Sequence, residues 1–119
     1  EITYGDWSSD VCSSDLDEED LSKVDIRMDL FSAYSEGYLS AARQFLVREE
    51  TDNLACSARF MTFLIGLRFL TDYLGGDHYY RIRFKTHNLV RARSQFRLVS
   101  RMEERLEQME KIILQLSSV

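Results

Sequence analysis

Apolar residues recur at helical spacing over most of the chain. Met28, Phe31, Tyr34, Tyr38, Ala41 and Phe45 follow one another at intervals of three and four, with Leu46 beside the last, which predicts an amphipathic helix from about residue 25 to 47. Gly37 interrupts it at a cost of roughly 1 kcal/mol relative to alanine, so a close approach by another element is expected there. The polar run REETDN then separates a second helix, over about residues 53–74, with Thr51 or Asp52 as its N-cap. That helix is apolar on nearly every face, with Leu54, Ala55, Ala58, Phe60, Met61, Phe63, Leu64, Ile65, Leu67, Phe69, Leu70, Tyr73 and Leu74. Arg59, Arg68 and Asp72 favour a central buried position over a membrane one. Gly75-Gly76 stops it. The segment DHYYRIRFKT, residues 77–86, alternates apolar and basic side chains and reads as extended or loop-like. A third helix is predicted over 87–116, with the stripe Leu89, Ala92, Phe96, Val99, Met102, Leu106, Met109, Ile113 and Leu116. The expected fold class is all-α, with three main helices joined by short connections.

Residues 1–16, EITYGDWSSDVCSSDL, have neither helical nor strand periodicity. From Asp6 the string DWSSDVCSSDL is, residue for residue, the translation of the end of a common short-read sequencing adapter. The segment is therefore expected to be a non-native, disordered arm, and residues 17–119 to be one domain-like unit. Its Glu1, Asp6, Asp10 and Asp15 carry four of the formal −5 charges, so the remainder is near −1. A nearly neutral chain without a basic stripe argues against a nucleic-acid partner.

The length of 119 residues suits a single domain, and 45% apolar with 29% charged residues is ordinary for a globular chain. No export signal and no transmembrane segment are read, so a cytoplasmic protein is expected. Cys12 and Cys56 form no metal-binding or disulfide pattern, and Cys56 reads as a reduced core residue on the second helix.

Four segments carry a family resemblance: DEEDLSKV, DLFSAYSEGYL, GLRFLTDYLGGDHYYRI and HNLVRARSQFRLVSRMEE. In this order and spacing, residues 17–116 resemble the C-terminal end of phosphotransferase-family sugar kinases related to N-acetylhexosamine 1-kinase, which share the aminoglycoside and choline kinase fold. The resemblance implies that the three helices belong to the helical C-lobe of a kinase-like domain whose remainder is the chain's expected partner. It implies ATP and magnesium as cofactors of the whole protein and an amino sugar or related small molecule as substrate. Phosphoryl transfer needs a phosphate-cradling segment with its lysine, a catalytic-loop Asp and metal-binding Asp and Asn residues. Neither His78 nor His87 introduces such a loop, so this chain alone is expected to be inactive.

Arg68 is the leading candidate for substrate binding, since a charged side chain within an apolar helix needs a partner or a wet cavity. The resemblance implies that the Arg of RFLTDYL lines the sugar pocket. The competing expectation is an i,i+4 ion pair with Asp72 or a bond to another part of the lobe. Asp72 and Tyr73 rim the same pocket or serve as ion-pair partner and core residue, respectively. Asp77 fits turn chemistry, and His87-Asn88 is expected to cap the third helix. A metal role for His78 and His87 lacks further ligands. Arg91, Arg93 and Arg97 read as a solvated face. A different class of function, a helical interaction module, would use the stripe of the third helix to pair with a partner helix.

Overall fold

The structure is a computed structural model that describes Cys12 and residues 17–117. The expected disordered arm, apart from Cys12, lies outside the described residues. Among the described residues there are five α-helices and no strand: α1 Met28–Ala42, α2 Arg48–Asp52, α3 Leu54–Leu74, α4 His87–Glu104 and α5 Leu106–Ser117. The all-α expectation holds.

The acidic lead-in forms a single 3₁₀ turn, Leu21–Lys23, whose N-cap Asp20 accepts from Ser22 N at 3.1 Å and Ser22 Oγ at 2.6 Å. Val24 and Ile26 follow and are buried. Ile26 also forms an isolated antiparallel bridge with Cys12. Asp25 accepts from Arg105 Nη2 at 2.9 Å, which ties the lead-in to the junction between α4 and α5.

In α1 the buried row is Phe31, Ser35 and Leu39, a strict four-residue spacing. Tyr38 and Phe45 of the predicted stripe are exposed, and the helix stops at Ala42 instead of continuing to Val47. The narrow row follows from what α1 meets, chiefly α5 on one side. Gly37 is exposed, with nothing within 4 Å of where its Cβ would stand, so it serves no close approach.

The predicted polar break contains α2. Thr51 and Asp52 lie inside it, and Asn53 stands as N-cap of α3, its Nδ2 donating to Glu49 O at 2.7 Å. On α3 the buried positions are Ala55, Ala58, Thr62, Ile65, Gly66 and Phe69, spaced for one face. Gly66 is where close packing needs glycine, because a Cβ would fall 2.7 and 2.9 Å from ring carbons of Phe96 on α4. The opposite face is left open: Phe60 is 57% exposed and Leu74 76%. Burial on all sides, expected from composition, is therefore not achieved, since α4 and α5 cover one side only. Cys56 is half-buried beside the Arg59 guanidinium, 3.3 Å from its Sγ, and not in the core. Among the described residues α3 is the one helix long and apolar enough to cross a membrane, with mean hydropathy 1.4 and 33% of that stretch buried.

The predicted third helix is two. Arg105, at φ −115° and ψ 13°, ends α4, with its N–H on Met102 O at 3.1 Å. The break re-aims α5 so that Met109 and Ile113 join Phe31, Ala55, Ala58, Leu98 and Met102 in the main cluster, with Val24 and Ile26. A smaller cluster, Ile65, Phe69 and Ala92 with Tyr80 and Phe96 against it, sits toward the other end of α3.

Candidate functional site

The C-terminal end of α3 runs into a turn built by backbone conformations that most residues avoid. Gly75 caps the helix, Gly76 has φ 102° and Asp77 has φ 62°, a left-handed value that Asp tolerates better than bulkier residues. Asp77 N–H donates to Asp72 O at 2.7 Å. The chain then passes back across α3, and Asp72 receives it: Oδ1 accepts from Tyr79 N at 2.8 Å and Oδ2 from Tyr80 N at 2.9 Å.

A side chain from α4 completes the arrangement. Asn88 Nδ2 donates to Asp72 Oδ2 at 2.8 Å and to Asp77 Oδ1 at 3.0 Å. Its Oδ1 accepts from Arg91 Nη1 at 3.1 Å, and the same nitrogen donates to Arg81 O at 3.1 Å. Partial burial alone would raise the Asp72 pKa. The hydrogen bonds from Tyr80 and Tyr79 N–H, the Asn88 amide and His78 N–H outweigh it and hold the carboxyl below its usual range.

The turn delivers Tyr79 to Arg68. The Arg68 guanidinium lies 5.6 Å from the Tyr79 ring centroid, and its Nη2 is 3.4 Å from the hydroxyl. Tyr80 stands edge-on to Tyr79 at 4.8 Å and packs on Phe69 at 4.6 Å, anchoring the pair to the smaller core. Leu64, Leu67, Arg68 and Thr71 on one side and His78, Tyr79 and Tyr80 on the other enclose an open groove of about 430 Å³.

Both substrate-binding candidates lie on this groove, but they act differently. Arg68 is exposed, and among the described residues it makes no ion pair with Asp72, so the i,i+4 pair does not form. Asp72 is engaged with the turn and contributes by orienting it. Tyr79 is the residue that sequence reasoning passed over. Its signal was the double glycine, which allows the chain to reverse and bring Tyr79, eleven residues on, back to Arg68.

His87 and Asn88 are not caps. Thr86 is the N-cap, and His87 and Asn88 open α4 fully buried. His87 Nδ1 accepts from Arg83 N at 3.1 Å, and its Nε2 is 2.6 Å from Asp17 Oδ1. Phe84 stacks on the imidazole at 4.5 Å. Arg83 Nη2 reaches Asp17 Oδ2 at 2.6 Å, and Arg91 Nε lies 3.5 Å from Oδ1. Burial raises the Asp17 pKa, while the His87 hydrogen bond and the charges of Arg91 and Arg83 lower it further than burial raises it. With both ring nitrogens engaged, His87 is a clasp for the lead-in. Arg91, expected on a solvated face, joins the two networks with a side chain only 17% exposed, its guanidinium also 5.6 Å from the Phe69 ring centroid. Compared with protein-family models, the chain matches none.

Proposed function

We propose that this chain forms the acceptor-side wall of a phosphotransferase for an amino sugar, the rest of that domain binding ATP and magnesium. The observation that carries the reading is the Arg68–Tyr79 pair on an open groove. An aromatic ring offers a flat apolar surface to the C–H face of a sugar, and a guanidinium supplies several fixed donors for hydroxyl or acetamido oxygens. The exposed face of α3, with Phe60, Phe63, Leu67 and Leu74, supports the same reading as the place where the remainder of the domain packs. Catalysis itself falls to that remainder, and the cytoplasm, where ATP is available, is the compartment this reading assigns.

The test is an NMR titration of the chain with N-acetylglucosamine, following the Arg68 guanidinium and the Tyr79 ring. Shifts confined to Arg68, Tyr79 and their groove neighbours, with affinity near millimolar or about 4 kcal/mol, are expected. Arg68→Ala should abolish them with little loss of stability. Unchanged Arg68 and Tyr79 signals at saturating sugar, or shifts spread evenly over the surface, would count against the reading. The alternative interaction module loses the surface first assigned to it, because Ala92, Val99, Met102, Met109 and Ile113 face inward. Its remaining surface is the open face of α3.

A further inference from the structure

We propose that Asn88 is the positioning residue of the groove: by donating to Asp72 and Asp77 together, it sets the turn that holds Tyr79 against Arg68.

The argument begins with charge. Asp72 and Asp77 lie at the two ends of the helix-terminating turn, and both direct a carboxylate oxygen at the same buried nitrogen, at 2.8 and 3.0 Å. Two carboxylates converging on one point repel each other unless donors stand between them. A primary amide has two N–H donors on one nitrogen, and Asn88 uses both here. Its carbonyl oxygen is held by Arg91, which fixes the orientation of the amide and leaves the NH₂ toward the acids. Asn88 is fully buried, so water cannot take over either bond without opening the helix start.

The consequence passes through Asp72. Its oxygens carry the Tyr79 and Tyr80 N–H groups, so the direction in which Asp72 points decides where the Tyr79 ring emerges. Asp77 keeps its left-handed conformation with the same amide as its side-chain partner. One side chain on α4 therefore controls a contact on α3 that it does not itself touch. Asn88→Asp retains the shape and removes both donors, placing a third carboxylate against two. Asn88→Ala removes the donors and the volume.

The inference concerns geometry, and only its last step, the effect on sugar affinity, rests on the acceptor reading. The experiment uses the full chain. In the wild type, the two Asn88 Nδ2 protons should appear as separate, slowly exchanging NMR signals. Exchange at the rate of an exposed amide would overturn the proposal without any variant. In Asn88→Asp and Asn88→Ala, the nuclear Overhauser contacts between the Tyr79 ring and Arg68 should vanish, while helicity and the Phe63–Phe96 contact, 5.7 Å between centroids, remain. N-acetylglucosamine affinity should fall about tenfold or more, with Asn88→Asp no better than Asn88→Ala. A folded Asn88→Asp chain that keeps the Tyr79–Arg68 contact refutes the inference. A wild type that binds no sugar refutes the functional reading alone, and the contact measurement still decides the role of Asn88. If both variants fail to fold, the exchange rate of the wild-type amide decides it.

Discussion

Two glycines in helices behave oppositely. A Cβ on Gly66 would meet the Phe96 ring at 2.7 and 2.9 Å and Gln95 Cβ at 3.2 Å, whereas a Cβ on Gly37 meets nothing within 4 Å. Gly66→Val should therefore destabilise the chain by about 2 kcal/mol through overpacking. Gly37→Ala should stabilise it by up to about 1 kcal/mol through helix propensity. Urea denaturation of both variants checks the pair, and equal effects would contradict the packing described. Asp17 and Asp72 give a second residue-scale prediction. Each carboxyl is held below its usual range when folded, so each contributes stability above the unfolded value of about 3.9 that is lost as pH falls through the folded value. Stability should thus be level near neutrality and drop below about pH 4. Asp17→Asn and Asp72→Asn should flatten the drop in thermal melts across that range. That Arg68 would border an open, polar-accessible space was legible from its oddity in an apolar helix. The role of Asn88 was not, because its partners lie 11 and 16 residues away in sequence.

At the scale of elements, the departure to explain is the break at Arg105. The seven-residue repeat through residues 89–116 reads as one continuous stripe, yet α4 packs chiefly along α3 while α5 packs on α1, α2 and α3, the two meeting where Leu98 and Met102 join Met109 and Ile113. The break falls at Arg105, and the Arg105–Asp25 ion pair at 2.9 Å ties it to the lead-in. Ile113 is 5% exposed and Leu114 61%. Ile113→Ala should cost about 3 kcal/mol, as deletion of a buried aliphatic side chain does. Leu114→Ala should change stability by less than about 0.5 kcal/mol. Chemical denaturation distinguishes this from a freely frayed α5, in which both substitutions would be silent. The boundary of α3 at Gly75 was readable because glycine chemistry is local. Its start near residue 53 was readable too, but its cap was not, since a five-residue helix takes up Thr51 and Asp52 and leaves Asn53 as the N-cap.

At the scale of the molecule, the five helices of the described residues leave Phe60, Leu67 and Leu74 of α3 exposed. Such a surface binds hydrophobic dyes and promotes association. Wild-type chain should bind anilinonaphthalene sulfonate and associate as concentration rises, and Phe60→Ser with Leu67→Ser should reduce both without lowering helicity. Dye fluorescence and sedimentation read the outcome, and unaltered association in the double variant would place the sticky surface elsewhere. The sequence by itself determined the helical class, the central helix and its glycine stop, because these depend on spacing and backbone preference within a few residues. Tertiary structure alone decided which row of α1 is buried, where the last helix breaks, which side of α3 stays open and which carboxylates Asn88 joins. Periodicity marks a face as apolar but does not name the element that covers it, and a buried polar group acquires its partners only when distant segments close around it.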